Sequence, residues 1–128
     1  MRLHTYNLQR NDNGVIAIVE TATGDILEGK GEGAVEALIS ALSHRFGASI
    51  EVDSYEEFAV NSGTRAQAMA CMRLKMDGEM HSAAALAQDT TTAVLQAVLG
   101  AVAKGTEIKE GLREMRTSMA LCLDSSCY

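Results

Sequence analysis

The 128-residue chain has no proline and no tryptophan, and its rings amount to two Phe and three Tyr. The absence of proline leaves its turns to Asn, Asp and Gly. So few rings leave the core to Ala, Val, Leu and Met, small side chains that let backbones approach closely. Cysteine is scarce too. Cys71, Cys122 and Cys127 form an odd set without metal-ligand spacing, which predicts reduced thiols. Eleven Lys and Arg stand against seventeen Asp and Glu, a net charge of −6. Nucleic acid and anionic membranes call for the opposite balance and are excluded as expected partners. No apolar run reaches the ~18 residues of a membrane span. MRLHTYNLQR at the N-terminus lacks a signal-peptide core, so a cytoplasmic location is expected. The length fits one domain and is too short for a complete barrel enzyme.

What is present falls into two similar halves. Leu3 to Gln9 reads as a strand, Asn11-Asp12-Asn13-Gly14 as a turn, and Val15 to Val19 as a second strand. Thr23-Gly24-Asp25 turns into a short third strand, Ile26-Leu27-Glu28. The period then changes. Val35, Leu38, Ile39, Leu42 and Phe46 mark one helix face, leaving the Gly29-Lys30-Gly31-Glu32-Gly33 loop and ending near Gly47.

The second half repeats the order. Ser49 to Val60 is a strand, Asn61-Ser62-Gly63 a turn, and Ala66 to Met76 a strand alternating strictly between apolar and mixed positions. Asp77-Gly78 is a hairpin signal, followed by a return strand from Glu79 to Ala87. A helix runs from Asp89-Thr90-Thr91-Thr92 through Lys104, with Val94, Leu95, Val98, Leu99 and Val102 as its buried stripe. Gly105-Thr106 is read as its break. Ile108, Leu112, Met115 and Met119 predict a further C-terminal helix, and residues 124–128 a frayed tail.

The predicted fold class is α+β, with two βββα modules (residues 1–47 and 48–105) related by a pseudo-two-fold axis. Antiparallel sheets pack on helices in a domain spanning 1–105, and residues 106–128 carry the extra helix and tail. Ala34, Ala37 and Ala41 in one helix, and Ala93, Ala97 and Ala101 in the other, form small-residue stripes. They suit either packing within the chain or close self-association, for which a symmetric dimer is the commonest form.

Catalytic constellations are poor. His4, His44 and His81 are scattered without metal spacing, and no nucleophile elbow is present. Glu56 and Glu57 are adjacent, so on a strand they face opposite ways. No metal, cofactor or catalytic residue is expected. The two helix starts are more informative, because free N–H groups and the helix dipole hold a carboxylate there. Facing each other across a symmetry axis, they would suit a small zwitterion.

Four segments together carry a family resemblance. Gly31-Glu32-Gly33-Ala34-Val35-Glu36-Ala37 resembles the G-x-G-P-V-D-A segment of the regulatory domain of alpha-isopropylmalate synthase. Asp53-Ser54-Tyr55-Glu56-Glu57-Phe58-Ala59 is similar to its D-Y-x-E-H-A, and Gly63-Thr64-Arg65-Ala66-Gln67-Ala68 to its G-x-x-A-Q-A. Asp89-Thr90-Thr91-Thr92-Ala93 resembles the family's second helix start. Ala34 stands at the family's Pro, Glu36 at its Asp and Phe58 at its His, and the Gly that commonly opens the last motif is replaced near Ala85.

The resemblance covers residues 1–104. It implies a dimeric two-module domain that binds a feedback amino acid at the dimer interface, leucine in the synthase and isoleucine in citramalate synthases. It further implies a pocket of Gly31, Gly33, Ala34 and Val35 at the first helix start, and Tyr55, Ala66 and Ala68 on the sheet. Gln88, Asp89, Thr90 and Thr91 would close it at the second helix start, with Asp89 or carbonyls receiving the ammonium. In that family a metal-dependent barrel performs the chemistry, so the chain reads as a regulatory domain separated from its barrel or as a free-standing relative. Three readings follow: a branched-chain amino acid sensor, a dimerisation scaffold without a ligand, and a small independent enzyme.

Overall fold

The computed structural model describes residues 1–62 and 65–106. The first module comprises β1 (Leu3–Asn11), β2 (Gly14–Thr21), β3 (Ile26–Gly31) and α1 (Ala34–Phe46). The second comprises β4 (Ile50–Ser62), β5 (Arg65–Met76), β6 (Glu79–Ala87) and α2 (residues 90–106). Each sheet is an antiparallel three-stranded meander, ordered β1-β2-β3 and β4-β5-β6. The expected α+β fold of two βββα modules is therefore present. Asn13 N–H donates to Asn11 Oδ1 at 2.9 Å in the first turn, and Asp77 and Gly78 both take positive φ in the last hairpin. The predicted C-terminal helix and tail lie outside the described residues.

The helices meet at the core, α1 with one face and α2 with nearly all of its surface. α1 packs on β2 and β3, while α2 is buried on nearly every side, as its all-round apolar sequence requires. Leu38 and Leu42 of α1, Leu95 and Leu99 of α2, and Met72, Leu74 and Met76 of β5 share one core. β1 holds α2 from the opposite side. Leu3 N–H donates to Gln96 Oε1 at 2.8 Å, and the Tyr6 and Thr92 hydroxyls are 2.9 Å apart.

The small-residue stripes are used within the chain. Ala37, Ala41, Ala93, Ala97 and Ala101 are all buried there, so helix-on-sheet packing accounts for them. Gly100 runs so close to β6 that an added Cβ would lie 3.2 Å from that of Ala83.

Four details differ from the sequence expectation. β3 extends to Gly31, so Gly29 and Gly31 are strand residues and not loop. Glycine disfavours strands in general, but α1 crosses β3 in backbone contact here. β4 continues through Asn61 and Ser62, which were expected in the turn. Phe46 points off the core at the last turn of α1, 39% exposed, beside the left-handed Gly47 cap. Gly105 lies within α2 rather than beyond it: it is helical and buried, and a Cβ there would lie 2.6 Å from Met76 Sδ. It is a close-approach position inside the helix, whose described part ends one residue later at Thr106.

Candidate functional site

The two helix starts begin differently. α1 opens from Gly33, whose extended backbone (φ −141°, ψ −178°) carries no side chain to cap the helix. The first intrahelical bond is Ala37 N–H to Gly33 O at 2.9 Å, which leaves the N–H groups of Ala34, Val35 and Glu36 without a partner inside the helix. α2 is capped. Asp89 Oδ1 accepts from Thr92 N–H at 2.8 Å and Oδ2 from Thr92 Oγ1 at 2.9 Å. Because the Thr92 hydroxyl gives its proton to Asp89, Tyr6 is the donor in the bond between those two hydroxyls.

Removing this cap has a bounded effect. Asp89→Ala is expected to lower stability by about 1 kcal/mol. Urea denaturation reads it as a lower midpoint at unchanged slope.

Between the two helix starts lies a cavity of about 220 Å³. Gly33, Ala34, Val35 and Glu36 form one wall, Tyr55 and Glu57 of β4 a second, and Thr91, Val94 and Leu95 of α2 a third. A single chain thus brings both helix starts to one depression. Tyr55 and Glu57 reach it together because they pair with Met72 and Ala70 on the inner face of the sheet. Those β5 residues are fully buried in the core shared with α2, yet residues 51–59 of β4 remain exposed on both faces.

Of the residues expected here, Gly33, Ala34, Val35, Tyr55 and Thr91 line the cavity. Gly31 lies in β3 beneath α1, Ala68 is buried in the core, and Ala66 is exposed near the start of β5. Gln88 and Asp89 are exposed just before α2, and Thr90 is exposed at its first position. Sequence reasoning did not place Glu36, Glu57, Val94 or Leu95 there. The alternation of β4 puts Glu57 on the face of Tyr55, and helical spacing puts Val94 and Leu95 below Thr91.

No Lys, Arg or His among the described residues lines this cavity. Among the described residues, no group of three or more His, Cys, Asp or Glu side chains is placed to hold a metal ion. No described helix is long and apolar enough to cross a membrane. A wider groove of about 430 Å³ separates β1 from β6, bordered by Tyr6 and Thr92, and contains none of the expected residues.

Residues 1–106 match the family model described as the LeuA allosteric (dimerisation) domain. The chain belongs to this family. It is 40% identical over 116 residues to a 2-isopropylmalate synthase of Alcanivorax borkumensis, covering 86% of this chain and 20% of that protein. A 2-isopropylmalate synthase of Ralstonia nicotianae is 30% identical over 126 residues, 91% of this chain and 22% of the relative. One from Rhizobium johnstonii is 28% identical over 111 residues, 84% of this chain and 20% of the relative. The chain therefore spans about a fifth of the length of these relatives. As a LeuA-type domain it corresponds to their regulatory portion, and both its helix starts and its cavity lie within the matched residues.

Proposed function

We propose that this chain is an amino-acid-sensing regulatory domain that binds a branched-chain amino acid, leucine foremost, and has no catalytic activity of its own. The observation that carries this reading is the meeting of an uncapped helix start, an aliphatic floor and an acidic strand around one small cavity. Its volume of about 220 Å³ equals the liquid share of roughly seven waters, the scale of an amino acid rather than of a nucleotide. Ala34, Val35, Val94 and Leu95 suit a branched aliphatic side chain. The N–H groups at the start of α1 suit its carboxylate.

The working form in this proposal is a cytoplasmic homodimer. The uncovered inner face of β4 supports it, since a long exposed edge strand invites a partner. A second copy there would close the open side of the cavity, in keeping with the dimerisation family. Feedback would act on a catalytic barrel of the 2-isopropylmalate synthase kind. For that, the ligand must prefer one dimer arrangement, because equal affinity for both shifts nothing.

Calorimetric titration with leucine, isoleucine and valine tests the reading. Saturable heat with one site per chain is expected, largest for leucine. A larger response to isoleucine would reassign the effector, and no heat from any of the three would leave a dimerisation scaffold. Light scattering on the same samples should give twice the chain mass.

A further inference from the structure

An amino acid carries a cation beside its carboxylate, and the cavity has to accommodate both. Resting on the amino-acid reading of this cavity, we infer that Glu57 receives the ligand's ammonium group. This makes the site select α-amino acids over the same carbon skeletons without nitrogen.

Four carboxylates lie near the helix starts, and their surroundings differ; Glu32, just before Gly33, is exposed and does not border the cavity. Asp89 is committed: both of its oxygens accept hydrogen bonds from Thr92, and it does not border the cavity. Glu36 is the third residue of α1, and its Oε2 lies 2.7 Å from where a Cβ on Gly33 would be. It is folded over its own helix start, where the dipole offsets its charge. Glu57 has neither arrangement. It is exposed on β4, its side chain makes no hydrogen bond or ion pair to another described residue, and its cross-strand partner is Ala70.

Among the described residues, none that lines the cavity is basic. A carboxylate-only ligand would thus bring a second negative charge to Glu57 without a counter-ion. An ammonium group would supply the missing one, through a charge-assisted hydrogen bond. The Tyr55 ring on the same face, and Thr91 opposite, complete the polar end of the cavity. The ligand's carboxylate is left to the open N–H groups of α1.

The test titrates the 128-residue chain with leucine, isoleucine and valine. Each is paired with the carboxylic acid of the same skeleton lacking the amino group, 4-methylpentanoate in the case of leucine. The unsubstituted chain is expected to bind the amino acid about 100-fold more tightly than its deaminated partner. Glu57→Gln should weaken amino-acid binding about 10-fold or more and narrow that ratio, whereas Glu56→Gln, on the other face of β4 and outside the cavity lining, should change both by less than about three-fold. An unchanged urea midpoint for Glu57→Gln, on an exposed edge strand, would keep the result separate from unfolding.

Amino-acid binding by Glu57→Gln within two-fold of the parent (~0.4 kcal/mol) overturns the assignment, as does an equal loss in Glu56→Gln. Equal binding of the deaminated acid by the parent chain does the same. No binding of any amino acid to the parent chain overturns the cavity reading itself, and is told apart because it appears before any substitution.

Discussion

Gly29→Val is expected to lower the stability of the chain by about 3 kcal/mol or more, the upper range of overpacking effects. α1 lies against β3 so closely that a Cβ on Gly29 would run into the Ala37 carbonyl oxygen. It would also lie 2.6 Å from Ala41 N and 2.8 Å from Ala41 Cβ. These are mainly backbone atoms of a helix whose other side is fixed by Leu38 and Leu42 in the core, so the collision cannot be relieved by turning a side chain. The loss is a large fraction of the ~5–15 kcal/mol that holds a typical domain together. Urea denaturation followed by circular dichroism reads it directly. A midpoint within error of the parent would mean that α1 does not cross β3 at this distance.

Gly33→Asp should produce the opposite pattern, with binding lost and the fold kept. The extended backbone at Gly33 is open to any residue, and Asp is among the favoured residues at that position, so stability should change by less than about 1 kcal/mol. The only atoms within 4 Å of a Cβ there belong to the Glu36 carboxyl, the far end of an exposed side chain that can turn away. The new carboxylate would cap the N–H groups assigned to the ligand and repel the ligand's own carboxylate. Leucine affinity should fall about 100-fold or more. Calorimetry and a urea curve on one preparation separate the two effects, and unaltered leucine binding would remove the start of α1 from the proposed site.

Much of the fold was legible because its signals are local. The switch from alternation to helical spacing near Ala34, and the Asp77-Gly78 hairpin, depend on neighbours within a few residues. Failures came where a distant segment decided the outcome. Gly29, Gly31 and Gly105 look like breakers in isolation. Each lies in a regular element because another element presses on it, α1 on β3 in the first two cases and Met76 against α2 in the third.

The candidate site divides in the same way. Gly33, Ala34, Val35, Tyr55 and Thr91 came from quoted family segments and line the cavity. Gly31 and Ala68 belong to those segments too, yet they support the cavity's surroundings from the packed interior. Glu57 stands at the Glu of the quoted D-Y-x-E-H-A segment, but the residues themselves showed it only as one of two adjacent acids on opposite faces. Which face looked into a cavity depended on where β4 lies relative to the two helix starts, and no local pattern encodes that.

The bonds from β1 to α2 bear on how this chain acquires its structure. Leu3 meets Gln96 across 93 residues and Tyr6 meets Thr92 across 86, while Gln96 Nε2 also donates to Met1 O at 3.2 Å. Contacts of such separation form late, after the entropy of closing a long loop has been overcome. The modules look like independent repeats in sequence order, but the first strand of one finishes the helix of the other. Refolding should therefore proceed as one cooperative event spanning both halves, with the beginning of the chain among the last parts to dock.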